Sequence, residues 1–189
     1  MFNLNAAMSH VAGTPEAMLR TQRSSARYFQ RPDNQYASID STMTSMTGTG
    51  GRMQLGKFGS GHWNFLAAVM WKSPGFEIND MGYMREADQL FQVLYVGYRE
   101  WRPKNFYRSY NINVNQYNAW TFGGQRIMNG GNVNGFIRLK NYWGVNAGIE
   151  YSHGIVSNNI LRGGESMRMP DEFNSWYSIS TDYRKKLTG

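Results

Sequence analysis

HWNFLAAVMWK, His62–Lys72, is the stretch on which the fold turns. Its odd positions, Trp63, Phe65, Ala67, Val69 and Trp71, make a wholly apolar face with an indole at each end, while Asn64 and Lys72 sit on the even face around Leu66, Ala68 and Met70. A two-residue period is the signature of a strand, not of a helix. From Trp63 to Trp71 there are eight steps, and at roughly 3.3 Å per step the apolar face is about 26 Å long. The lipid-facing band of an outer-membrane barrel is about 25 Å tall and is edged by aromatic residues.

Outward from this block the pattern recurs. In Phe106–Trp120 the even positions Phe106, Tyr110, Ile112, Val114 and Trp120 oppose Ser109, Asn111, Asn113 and Asn115. A row of asparagines suits a wet lumen and would be costly in a dry core. Trp143, Val145, Ala147, Ile149 and Tyr151 oppose Gly144, Asn146, Gly148 and Glu150. Val133–Leu139 sets Val133, Ile137 and Leu139 against Asn132, Asn134, Arg138 and Lys140, and Ser175–Tyr183 sets Tyr177, Ile179 and Tyr183 against Trp176, Ser178, Ser180 and Asp182. Asp88–Trp101 has apolar residues on both faces; Phe2–Ala12 and Ser45–Phe58 complete about eight expected strands. Helical periodicity is poor almost everywhere, so strands are the primary reading.

The expected connections run Gly13–Thr44, Gly59–Gly61, Ser73–Ala87, Arg102–Lys104, Thr121–Asn129, a tight turn near Asn141, and Ile155–Glu172, so long and short alternate. Membrane barrels alternate in this way because their periplasmic turns are short and their external loops long. The fold expected is therefore all-β, an antiparallel up-and-down transmembrane β-barrel of about eight strands or part of a larger one. It forms a single domain over residues 1–189, with long loops near 13–44, 73–87 and 155–172, and both chain ends lie on the periplasmic side. The girdle residues are Trp63, Trp71, Trp120, Trp143 and Tyr151. The competing reading is a soluble β-domain that binds carbohydrate through exposed aromatics, which stack on sugars as readily as they sit at a membrane interface.

Composition narrows the classes. Twenty Lys and Arg against 13 Asp and Glu give a net charge of +7, which permits an anionic partner. The basic residues are scattered, however, and only Arg184, Lys185 and Lys186 form a run, placed as interfacial anchors. No nucleic-acid partner is expected. Aromatics at 15% exclude a disordered chain. Without cysteine there is no disulfide framework, thiolate metal site or cysteine nucleophile. No run of 18 apolar residues provides a membrane-spanning helix, and a mean hydropathy of −0.58 is compatible with strands of which only alternate residues face lipid.

Several phrases are more specific than periodicity. RSSARYFQRPDNQY at 23–36, SPGFEINDMGYMREADQ at 73–89, NGGNVN at 129–134 and LRGGESMRMP at 161–170 occur in that order. Over about Gly13–Leu187 the chain resembles an uncharacterised outer-membrane barrel domain of Gram-negative, typically Bacteroidota-type, bacteria that usually follows a periplasmic family-nine carbohydrate-binding module. The resemblance implies residence in the cell outer membrane, contact with its lipid, and a porin-like anchor or channel linked to carbohydrate binding or uptake. It carries no established activity. The absent module and signal peptide, and a C-terminal YRKKLTG without a terminal aromatic, lead to the expectation of a barrel fragment whose partners include the missing strands or the periplasmic module.

The chain is expected to be non-enzymatic, without cofactor or metal. His10, His62 and His153 lack metal-ligand spacing. Glu77 with Asp80, and Glu86 with Asp88, are close enough in sequence for paired-acid chemistry, but acids in polar loops more often cap turns and pair with arginine. Candidate ligand-binding residues for a glycan or small solute are Arg31, Asp33, Asp80, Arg85 and Glu86, in long loops that fold over a pore mouth. Arg138 and Lys140 would make a lumen locally positive. The glycine pairs match no phosphate loop and read as turns and bulges.

Overall fold

The computed structural model describes residues 1–182 together with Arg184 and Lys185. Tyr183 and Lys186, expected in the last strand and in the basic run, lie outside the described residues. Arg184 bonds Asp182 at 2.7 Å and lies 3.3 Å from the centre of the Tyr142 ring.

Eight strands form one antiparallel sheet in which each main strand pairs with its neighbour in sequence. They are β1 (Phe2–Ala12), β2 (Ser45–Lys57), β3 (Trp63–Lys72), β4 (Gln89–Glu100), β5 (Tyr107–Trp120), β6 (Arg126–Leu139), β7 (Gly144–His153) and β10 (Glu172–Ser180). A short hairpin, β8 (Val156–Ser157) with β9 (Met167–Arg168), forms within the last long loop. The all-β, up-and-down meander is as expected. Among the described residues no pairing joins β1 to β10, so the sheet has two open edges. All nine residues of β10 are exposed.

Register explains the alternation. The rows Trp63–Tyr98–Ile112–Gly135–Ala147–Tyr177 and Phe65–Val96–Val114–Val133–Ile149–Ser175 run across one face. The adjoining rows on the other face include Asn113–Asn134 and Asn115–Asn132. Because side chains alternate strictly along each strand, this register gathers the aromatic-edged apolar rows on one side, while β3 and β4 also put Leu66, Met70, Phe91 and Val93 on the other. Trp63, Trp71, Trp120, Trp143 and Tyr151 share that side. On the opposite face the asparagines hydrogen-bond in a ladder: Asn113 Nδ2 donates to Asn134 Oδ1 at 2.9 Å, and Asn115 Nδ2 to Asn132 Oδ1 at 2.8 Å. Tyr95 Oη donates to Asn113 Oδ1 at 3.1 Å.

Three expectations need correction. β6 begins at Arg126, so the connection after β5 covers only residues 121–125 and is no longer than the short turns. Asn129, Gly130 and Gly131 carry little strand propensity, but the upper half of β5 offers unpaired backbone groups that they satisfy. Gln116 and Asn118 share the otherwise apolar face of β5; Gln92 accepts from Asn118 at 3.0 Å and donates to Gln116 at 3.1 Å. Finally, the first loop contains a helix, α1 (Pro15–Arg23). Its signal is local: Thr14 caps the N-terminus by accepting from Ala17 N at 3.3 Å, Pro15 occupies the first turn, and Glu16 faces the positive end of the dipole.

The buried core lies at the long-loop end. Met18, Phe29 and Met46 make one cluster with Val11, Ala37, Ile39 and Met43 around it; Ala26, Phe76, Met84 and Ala87 make a second. The cap sits on β2 where Gly48 and Gly50 leave room. A Cβ at Gly48 would overlap Phe76 N, and one at Gly50 would come within 2.7 Å of the Phe76 ring.

Candidate functional site

The long loops are joined by two buried arginines. Arg27 is enclosed by the first two loops: Nε donates to Pro74 O at 3.2 Å, Nη2 to Phe76 O at 2.6 Å, and Nη1 to Thr21 O at 3.3 Å and Ser24 Oγ at 3.2 Å. Glu77 completes the set at 2.7 Å. Gln22, fully buried on α1, bonds both ways to the Asp40 backbone at 2.8 Å. These bonds replace, group by group, the water lost by segments that carry little secondary structure.

Arg31 ties the first loop to the others. Its Nη1 donates to Ser166 Oγ at 3.3 Å and its Nη2 lies 3.7 Å from Asp88, while its buried Nε has no partner. Asp88 is 7% exposed at a left-handed φ of 56°. It accepts from Tyr36 Oη and, at 2.9 Å, from Phe122 N. Asp33 accepts from Ser166 Oγ and from Ser166 N at 3.2 Å. Of the expected ligand-binding residues, then, Arg31 and Asp33 meet at Ser166. Glu86 lies near them, half-buried, and accepts from Gln89 at 3.3 Å. The space beside Arg31, Glu86 and Asp88 is about 20 Å³, room for a water and no more. This cluster is a latch between loops.

Asp80 and Arg85 stand apart from the latch, both exposed. Arg85 lies 5.7 Å from the Tyr83 ring centre and lines a pocket of about 570 Å³ with Tyr28, Asn79, Asn159 and Arg162. That volume is in the range of small-molecule sites. Tyr28 and Arg162 both hold left-handed backbone, φ 47° and 50°, which non-glycine residues adopt only where the surroundings impose it. Sequence reading found Arg85 but missed Tyr28, Tyr83, Arg162 and Ser166, since only the fold brings residues 28, 83 and 162 to one rim. A second groove of about 590 Å³ runs along the polar sheet face past Tyr95, Arg99, Asn113 and Arg138. No group of three or more metal-ligating side chains occurs among the described residues. His153, Glu77 and Asp88 are engaged by Asn129, Arg27 and Tyr36 in turn.

The latch carries opposing titrations. Burial pushes the Asp88 carboxyl above its usual range, against the Tyr36 and Phe122 bonds and the Arg31 charge, and burial likewise raises Glu86. Tyr36 is pushed up to about 12 by burial and by its bond to Asp88. Burial also acts on Asp33, but the Ser166 bonds outweigh it and hold that carboxyl below its usual range. A carboxyl whose pKa is raised on folding contributes stability that is complete below its unfolded value and lost as pH rises through the folded one; a depressed carboxyl does the reverse. The cap should therefore tighten as pH falls from neutral through the raised values of Asp88 and Glu86, and loosen again when Asp33 protonates. The urea midpoint of near-ultraviolet circular dichroism, followed against pH, should show this maximum, and Asp88→Asn should flatten its neutral side.

Residues 8–189 match the family described as a domain of unknown function, DUF5916, and the chain belongs to that family. Neither a curated relative nor a solved structure matches it.

Proposed function

We propose that this chain is the wall of an outer-membrane β-barrel, a non-enzymatic anchor or channel whose capped loop end faces outward and whose asparagine face lines the lumen. The observation that carries the reading is a diagonal. Ala67, midway between Trp63 and Trp71, shares its row with Leu94, Gln116, Gly131 and Tyr151. The centre of the β7 apolar face is instead Ala147, midway between Trp143 and Tyr151 and four residues down the strand from that row. The aromatic-edged band thus slips about one residue per strand, or roughly 3.3 Å along for each 4.8 Å across, a tilt of roughly 35°. Strands of membrane barrels tilt by about 35–45°.

The same slope accounts for the ends of the sheet. It carries the band to Phe2, Leu4, Ala6 and Met8 on β1 and to Tyr177 and Ile179 on β10. Asn118, Asn129 and His153 fall on its loop side. A soluble sheet has no plane to which such a slope must refer. β1 and β10 run antiparallel, so their open edges are compatible with closure on each other or through further strands, and in lipid every such backbone group needs a partner. A role beside glycan recognition or uptake is implied by the resemblance of the loop phrases.

The test is gel mobility after refolding into detergent micelles. A band that shifts only on boiling, with a strand spectrum, is expected. A strand-rich protein that stays soluble without detergent would overturn the membrane reading in favour of a sugar-binding β-domain.

A further inference from the structure

We propose that the loop pocket rimmed by Tyr28, Tyr83, Arg85 and Arg162 binds a carboxylate-bearing saccharide. The inference rests on, and deepens, the glycan part of the proposed function. Arg27 and Arg31 face Glu77 and Asp88. Arg85 and Arg162 have no ion pair among the described residues, and no Asp or Glu lines the pocket. Both asparagines of the rim use Oδ1 within the loops, Asn79 accepting from Met84 N at 2.7 Å and Asn159 from Ser157 Oγ at 2.9 Å, while neither Nδ2 makes a hydrogen bond among the described residues. Each therefore offers its Nδ2 donors.

Two guanidinium groups, two amide N–H₂ groups and two phenols make a rim dominated by donors. The ligand that answers it is rich in acceptors and bears negative charge. Arginine recognises a carboxylate through paired N–H donors, and ring oxygens and hydroxyls of a sugar accept from amides. Tyr83, 81% exposed, gives a flat surface of the kind that pyranose C–H faces cover. Tyr28 and Arg162 sit on left-handed backbone in loops that the Arg27 and Arg31 bonds tie to their neighbours. A volume of about 570 Å³ holds a disaccharide unit.

The experiment is calorimetry at fixed ionic strength on the chain refolded in lauryldimethylamine oxide micelles. The probes are digalacturonate, neutral α-1,4-galactobiose and inorganic sulfate. Digalacturonate is expected to bind, with the other two weaker by about tenfold or more, and Arg85→Gln, Arg162→Gln and Tyr83→Ala each weakening it by about tenfold. These side chains are exposed, so the variants should retain the fold, checked by the boiling-dependent band shift on the same samples. Absence of digalacturonate binding, equal binding of galactobiose, or unchanged affinity in the Arg85→Gln/Arg162→Gln double variant would overturn the proposal. Sulfate binding as tightly as digalacturonate would overturn its saccharide part. If the chain needs no detergent, the same titrations run in buffer, so failure of the membrane reading is seen separately from failure of the site.

Discussion

Replacing Arg27 by alanine should open the loop cap, with a loss of about 3 kcal/mol in the free energy that holds residues 13–44 on the sheet. Its side chain is fully buried and makes an ion pair with Glu77 at 2.7 Å and four hydrogen bonds, two of them to the second loop. Truncation strands Glu77 and leaves the Pro74 and Phe76 carbonyls without their donor, and unpaired buried groups cost far more than the net worth of the bonds they once made. Limited proteolysis of the refolded chain should cleave the first loop roughly a hundredfold faster, since cleavage follows the open population. Adding Glu77→Gln should restore part of the loss, because the stranded charge is then gone. Protection equal to the parent's would mean that the two apolar clusters alone hold the cap.

Ala67→Arg should cost about 2–4 kcal/mol of folding free energy in lipid vesicles, the penalty for a cation near the bilayer midplane. Ala67 is the centre of the β3 apolar face, between Trp63 and Trp71. Asn146→Arg, on the opposite face of β7, should change stability by less than about 0.5 kcal/mol. Urea unfolding from vesicles gives both numbers. If the apolar face meets water instead of lipid, Ala67→Arg becomes an ordinary surface substitution and the two variants become alike. The pair thus separates the two environments without needing a ligand.

The sheet was legible in the sequence because each strand records its own two faces. Trp63 to Trp71 and Trp143 to Tyr151 read as strands without reference to any partner, and the structure places both on one side of one sheet. Gln116 and Asn118 show the limit of such reading. Their polarity breaks the β5 pattern locally and makes sense only beside Gln92, which two separate hydrogen bonds join to them. Residues 126–129 read as loop because they run into the Asn129–Gly131 stretch of weak strand propensity, and they form a strand because β5 is there to pair with them. α1 is announced only by Thr14, Pro15 and Glu16, since a single short helix carries little periodicity.

The site was legible only in part, for a different reason. Long polar loops pointed to Arg31, Asp33, Asp80, Arg85 and Glu86 as a group, but sequence proximity cannot tell a latch from a pocket. Arg31 is buried against Asp88 and Ser166, 135 residues away from the latter along the chain, and Arg85 opens onto a rim that it shares with Tyr28 and Arg162. Periodicity, composition and local turn chemistry are properties of neighbouring residues, so the chain by itself determined the all-β class, the face of each strand and most strand positions. Which arginine is neutralised and which is left facing a cavity depends on contacts between segments far apart in the chain. Only the tertiary structure decided that, because charge and hydrogen bonding act through space and are indifferent to sequence distance.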